Sequence, residues 1–357
     1  MKSNLHRRLR PIIPALAILA FAGCGRSPEA VSDAAAAAAA ATDGEAPASH
    51  VVKIGMSFDS LLVERWQKDR DLFMAEAGKL GAECVFLSAD GNAKKQNEQC
   101  DVLLGQGIDV LVIVPKSATA AARAVQQARK QGVPVLSYDR LILGAEVDVY
   151  LSFDNERVGF MQGEYLTSKK KGRYFLLGGS PDDNNAKMFR AGQMKAIQPF
   201  VDSGEITLIG DHWTDGWSPK NAREIIENLL VTVGKDVDVI VASNDGTAGG
   251  VIQALKAQGL EGKVLVSGQD ADLQACKRIL AGTQAMTVYK PLRELATRGA
   301  QIAVQLARGE TITAGTTLPN GAIEVPSILL EPISLNRENL VAVLSADGYY
   351  TEDALTQ

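Results

Sequence analysis

From Val51 onward the chain alternates short β-branched runs with amphipathic segments, and this alternation limits the possible folds more than any other feature. Strands are expected at Val52 to Phe58, Cys84 to Ser88, Val110 to Val114 and Val133 to Tyr138, with helices at Glu64 to Leu80, Ala93 to Gln106 and Ala118 to Gln131. A second series begins near Asn155. Its helices run from Asn155 to Lys169, Asn185 to Phe200, Pro219 to Val233 and Gly246 to Gln258, and its strands are Tyr174 to Leu177, Ile206 to Gly210, Val237 to Ala242 and Val264 to Ser267. Such alternation builds βαβ units, in which a parallel sheet is covered by helices on both faces. The expected fold is α/β, with two doubly wound parallel-sheet lobes.

The two series also resemble each other. Asp109 to Pro115, an Ala-rich helix ending in KQG and the strand closing at Asp139 can be laid over Asp238 to Asn244, a helix ending in AQG and the strand closing at Asp270. Ligands of open α/β sheets bind beyond the carboxyl ends of the strands, so one carboxylate from each lobe is expected in a shared cleft. Lys290 ends the β-type run from Gln284 to Val288 and joins them. Chain crossings near 151–154, 286–289 and 320–326 would make a three-segment hinge that permits closure and limits twist. The corresponding lobes are residues 51–153 with 290–322, and 154–289 with 323–357.

The first 24 residues stand outside this pattern. A basic start (Lys2, Arg7, Arg8, Arg10), an apolar run from Ile12 to Phe21 and small residues before Cys24 read as a secretory signal, too short to span a membrane. Phe21-Ala22-Gly23-Cys24 resembles a lipobox, with Cys24 as the lipidated residue and ordinary signal cleavage as the alternative. Residues 25–50 are rich in Ala, Ser, Pro, Asp and Glu, with eight alanines from Ala34 to Ala41, and read as a tether. The other cysteines, Cys84, Cys100 and Cys276, show no CxxC spacing, and the three histidines are scattered, so neither a disulfide framework nor a metal site is expected. A net charge of -5 argues against a nucleic-acid partner.

The cleft candidates follow from position. Arg65 and Trp66 open the first long helix, where Trp66 serves either as core with Phe73 and Ala77 or as a flat platform for a sugar's C–H face. Asp139 and Arg140 present acceptors beside a guanidinium fork, unless they form a structural ion pair. Asn184 and Asn185 stand at a helix start, where capping is the competing role. Trp213 and Trp217 lie in HWTDGWSP, Trp217 being the better platform, and Asn244, Asp270 and Lys290 complete the set. Neither GxSxG nor GxxxxGK[ST] is present, and no cofactor is expected. This collection suits a neutral polyhydroxylated ligand.

These stretches resemble the bacterial ABC-transporter sugar-binding proteins of the ribose/galactose type, especially the D-xylose-binding branch. The resemblance is carried by ERWQKDRD (64–71), YDR (138–140), SFDNE (152–156), NNAK and FRAGQMK (184–195), DGW (215–217), ASND and TAGG (242–250), SGQDADL (267–273) and AGTQAMTVYKP (281–291). It implies a type I periplasmic binding protein fold, monomeric and non-catalytic. It also implies a pyranose, D-xylose or a related aldopentose, held between Trp66 and Trp217. Polar contacts would come from Arg65, Asp139, Arg140, Asn184 or Asn185, Asn244, Asp270 and Lys290. An inner-membrane ABC permease is the implied partner, with a chemoreceptor as a further candidate. The family's best-known members are soluble in the periplasm, whereas this chain is expected to be lipid-anchored. The rivals are a sugar-active enzyme using Asp139 and Asp270 as acid and base, a transcription-factor effector domain and a sensory receptor signalling to a membrane partner.

Overall fold

The computed structural model describes His50–Gln357; the expected signal, Cys24 and residues 25–49 of the tether lie outside the described residues. The first sheet is built from β1 (Lys53–Phe58), β2 (Glu83–Ser88), β3 (Val110–Val114), β4 (Val135–Tyr138) and β5 (Val149–Phe153), separated by α1 (Arg65–Lys79), α2 (Ala93–Gly105) and α3 (Ala122–Lys130). Val110 to Val114 is apolar at every position because both faces of the sheet are covered, and all five residues are buried. On one face Phe73 and Ala77 of α1 pack with Leu295, Ala300 and Ala303 over Ile54, Met56 and Val112. On the other, Cys100 and Leu103 of α2 and Val125 and Ala128 of α3 pack on Leu111, Ile113 and Val135.

The second lobe comprises α4 (Asn155–Lys169), β6 (Gly172–Gly178), α5 (Asn184–Asp202), β7 (Ile206–Trp213), α6 (Pro219–Val233), β8 (Val239–Ala242), α7 (Asp245–Ala257), β9 (Leu265–Val266), α8 (Leu273–Ala281) and β10 (Thr287–Tyr289). Its parallel strands lie in the order β7-β6-β8-β9, and a bridge between Gln269 and Val288 carries the pairing on to β10. Helices α4 and α5 cross with their backbones in contact. A Cβ on Gly159 would lie 1.9 Å from Phe189 O, and one on Gly192 would lie 1.9 Å from Glu156 O. This close crossing presents the start of α5 to the cleft. After α9 (Leu292–Ala307), the chain forms β11 (Thr316–Pro319), β12 (Glu324–Leu330), β13 (Ile333–Leu335), α10 (Leu340–Ala346) and α11 (Glu352–Thr356).

The third crossing differs from the sequence expectation. Residues 323–330 do not join the second lobe, because β12 pairs in parallel with β5 from Ser327↔Tyr150 to Leu330↔Phe153, and the chain crosses only after Leu330. β11 then adds an antiparallel edge, giving the order β11-β12-β5-β4-β3-β1-β2. β13 enters the second lobe by pairing antiparallel with β10. The expected helix from Ala118 begins later, at Ala122. Ser117 Oγ accepts from the Ala120 amide at 3.3 Å, and the Ala118 amide donates across the cleft to Asp182 O at 3.0 Å. Cys84, Cys100 and Cys276 are free thiols, and burial pushes Cys84 up to about 11 and Cys100 up to about 12.

The glycine crossing sets a test of the second lobe. Gly192→Ala places a methyl group where Glu156 O already sits, and we expect a loss of about 1–3 kcal/mol in urea unfolding, the range for overpacking a tight interior. Unchanged unfolding would mean that α4 and α5 separate freely.

Candidate functional site

The two carboxylates matched by the internal repeat share an unusual backbone. Asp139, just after β4, has φ 63°, and Asp270, after β9, has φ 97°. Trp217 (φ 56°) is a third member of the five non-glycine residues with positive φ among the described residues. Such conformations persist where the surroundings over-determine them, and they gather at functional sites. Here the Asp139 amide is held by Leu151 O at 2.7 Å, and the Asp270 amide by Val288 O at 2.8 Å. Each lobe therefore turns a carboxylate out of its strand end by the same device.

Arg65, the first residue of α1, is 2% exposed and stands among three carboxylates. Its Nε donates to Asp69 Oδ2 at 2.8 Å, its Nη2 lies 2.9 Å from Asp139 Oδ2, and its Nη1 lies 3.7 Å from Asp270 Oδ1 in the other lobe. Burial alone would lower the guanidinium pKa, but Asp139, Asp69 and Asp270 together raise it well above its ordinary value. Asp139 responds reciprocally: burial pushes it up, but Arg65, Lys290 and Arg140 outweigh that and hold it below the usual range. Asp69, one turn along α1, accepts from Tyr138 Oη at 2.9 Å and is raised, chiefly by burial.

Arg140 makes the second bridge between lobes. Its Nη1 donates to Asp59 Oδ2 at 2.8 Å, and its Nε lies 2.8 Å from Asp183 Oδ2. Asp183 caps α5 by accepting from the Asn185 amide at 2.9 Å, and it also receives Trp217 Nε1 at 3.1 Å. Burial raises its pKa, with Arg140 as the main opposing influence. Asn185 Nδ2 donates to Asp139 O at 2.8 Å, again across the cleft. Lys290 Nζ lies 2.9 Å from Asp270 Oδ1, a distance that pairs the charges although the angle falls short of a hydrogen bond. Asn244 caps α7, its Oδ1 accepting from the Thr247 amide at 2.9 Å.

Together these groups line a cleft pocket with about 310 Å³ of empty space, its open mouth included, whose walls are Val63, Arg65, Trp66, Asp139, Arg140, Asp183, Asn185, Phe189, Trp217, Asn244, Gln269, Asp270 and Lys290. Three cations face three carboxylates, so the lining carries no formal net charge. Arg65 Nη1, Trp66 Nε1, Gln269 Oε1 and Asp270 Oδ1 are buried without a hydrogen-bond partner in the protein. Buried polar atoms of this kind call for partners, and a neutral cavity that offers both donors and acceptors matches hydroxyl groups.

A family model described as a periplasmic binding protein domain matches residues 54–311. The chain belongs to the periplasmic binding protein family. This binding protein is 53% identical over 305 residues to the D-xylose-binding periplasmic protein of Escherichia coli, covering 85% of this chain and 92% of that one. It is 49% identical to the protein of the same name from Haemophilus influenzae, over the same shares. Among solved structures, a carbohydrate transporter solute binding protein from Chloroflexus aurantiacus in complex with D-glucose is 31% identical, with a TM-score of 0.80 over 85% of this chain and 98% of the other.

Nine of the ten residues expected in the cleft line the binding protein's cavity. Asn184 does not: it is the first residue of α5, and its Nδ2 is directed to Met188 Sδ at 3.5 Å. Capping, the competing role for this pair of asparagines, falls to Asp183 instead. Trp66 lines the cavity and also meets Phe58 edge-on at 5.9 Å, the core packing expected as its alternative role. Trp217 is seated against Gly179, where a Cβ would come within 2.0 Å of its ring, and Trp213 stays 37% exposed at the end of β7. Val63, Asp183, Phe189 and Gln269 were not expected. Asp183 had a legible signal, a carboxylate preceding a helical run after Ser-Pro; Phe189 and Gln269 had none. The family is one of binding proteins, not enzymes.

Removing Arg65 should strip Asp69 of its cationic partner and take from Asp139 its strongest one. We expect Arg65→Met to lower unfolding free energy by about 3–5 kcal/mol near neutral pH, the range for stripping one partner from a buried ion cluster. The deficit should shrink toward about pH 5, where the stranded carboxylates can take up protons. Urea unfolding at both pH values measures it, and an equal deficit at both would mean that charge is not its source.

Proposed function

We propose that this binding protein captures D-xylose, or a closely related aldopentose, in the closed cavity between its lobes and delivers it to an inner-membrane ABC permease. The carrying observation is the buried, formally neutral lining that includes both unpaired donors and unpaired acceptors, with a tryptophan contributed from each lobe. The identity to two D-xylose-binding proteins supports the choice of sugar. In this reading Trp66 and Trp217 offer aromatic faces to the pyranose ring, and Arg65, Asp139, Arg140, Asn185, Asn244, Asp270 and Lys290 bond its hydroxyls. Charge-assisted bonds in a water-excluded cleft allow a small ligand to bind tightly. Closure follows because the sugar touches both lobes only when they meet.

Calorimetry on a panel of D-xylose, ribose, arabinose and glucose tests this. D-xylose should bind at roughly micromolar affinity or better, about -8 kcal/mol or beyond. Asn185→Ala should weaken binding at least about tenfold, because Asp139 O and the sugar lose a buried partner, while Asn184→Ala stays within about twofold. Millimolar affinity for every sugar would overturn the reading, and equal effects of the two asparagines would displace the site.

We also propose that the mature chain is periplasmic and anchored by a lipid on Cys24, supported by the lipobox-like Phe21-Ala22-Gly23-Cys24 and the Ala-rich stretch after it. Fractionation should find the wild type with membranes and Cys24→Ser released in soluble form. Identical distribution of the two would refute the anchor.

A further inference from the structure

Asp245 stands directly after Asn244 at the start of α7, yet its side chain does not line the cleft cavity. It is 1% exposed and serves the loop that carries Asp270. Its Oδ2 accepts from the Asp272 amide at 3.0 Å and from Thr287 Oγ1 at 2.9 Å, and its Oδ1 accepts from Gln284 Nε2 at 2.7 Å. Thr287 Oγ1 in turn accepts from the Ala271 amide at 3.3 Å, and the Asp245 amide donates to Gln269 O at 2.9 Å. Gly268 lets the loop close onto this carboxylate, since a Cβ there would lie 1.9 Å from Oδ1. The segment held in this way contains two consecutive non-glycine residues in the left-handed region, Asp270 at φ 97° and Ala271 at φ 52°. Such a pair is intrinsically unfavourable and needs external restraint.

We propose that Asp245 is a positioning residue for sugar capture: its carboxylate holds loop 268–272 in the strained shape that aims Asp270 into the cleft, and protonation loosens the loop and weakens binding. This rests on the reading that Asp270 contacts the sugar. The carboxylate faces three donors, so a proton on Oδ2 must reverse the bond with Thr287 and compete with the Asp272 amide. The charged and titratable groups facing it are Asp270 and Asp272 from the loop and Cys276 and Arg278 from α8. Arg278 Nη2 donates to Asp245 O at 2.9 Å, and the chain leading into β10 offers only the neutral Gln284 and Thr287. Burial, opposed by Arg278 and reinforced by Asp270, pushes Asp245 up to about 7. Asp272 is raised too, by burial and then by Asp245, so the two release their protons as a pair.

The signs separate this role from plain support of the fold. A carboxyl raised in the folded state contributes stability below its ordinary pKa that is lost as pH rises through about 7, so the apo protein should melt higher on the acid side. Affinity should move the opposite way, because the ionised form holds the loop. We would measure D-xylose affinity by calorimetry and apo melting at about pH 5.5, 7 and 8.5, for the wild type, Asp245→Asn and Thr287→Val. The expected result is a wild-type dissociation constant about tenfold weaker at the acid end, with Asp245→Asn about tenfold weaker at the basic end and flat across the range. Thr287→Val, which keeps the carboxylate but removes its hydroxyl partner, should also weaken binding, and it decides the matter should Asp245→Asn not fold. A flat wild-type profile, or a variant with wild-type affinity and slope, overturns the proposal while leaving sugar binding intact. Absence of binding by the wild type at every pH overturns the sugar reading as well.

Discussion

The site depends on one buried cation. Arg65 is almost wholly removed from water, a state tolerable for a guanidinium only where carboxylates surround it, and Asp69, Asp139 and Asp270 do so from its own helix, its own lobe and the opposite lobe. The first two contacts belong to the first lobe alone. The third, at 3.7 Å, exists only when the lobes meet. The same arginine thus shapes the cleft wall and registers closure, and the low pKa of Asp139 is one of its consequences.

Charge balance gives the cavity its chemical character. Arg140 divides its donors between Asp59 in its own lobe and Asp183 in the other, while Lys290 pairs with Asp270, so with the lobes together each cation is matched by the protein itself. A charged ligand would upset this balance inside a low-dielectric space, where an unpaired charge is penalised heavily. A neutral ligand with many hydroxyls leaves the balance intact and satisfies the atoms still lacking partners. The strained backbones of Asp139 and Asp270 are held by Leu151 O and Val288 O of neighbouring strands, and Trp217 is held by Thr214 O at its amide and by Asp183 Oδ2 at its indole.

Much of this was legible in the chain because it depends on local periodicity. The βαβ alternation, the repeat that equates Asp139 with Asp270, and the placement of Arg65 and Trp66 at a helix start all follow from residue order and the two backbone periods. The third crossing was not legible. Glu324 to Leu330 is an apolar strand-like run that suits either sheet, and only its pairing with β5 assigns it to the first. Likewise, Asn184 and Asn185 are adjacent and chemically identical, but successive helix residues point about 100° apart, so packing of α5 against α4 decides which one reaches Asp139.

The sequence by itself determined the fold class, the two lobes, the family and nine of the ten expected cavity residues, because these follow from periodic burial and from motifs that sit at strand ends. Only the tertiary structure decided where the chain last crosses, which asparagine enters the cleft, and that Asp183 ties Trp217 to Arg140. It also bonds the carboxylate of Asp245, outside the cavity, to the Asp272 amide and to Thr287 beside the loop bearing Asp270. These are contacts between residues distant in the chain, set by how helices and strands pack in three dimensions, and residue type carries no record of such distances.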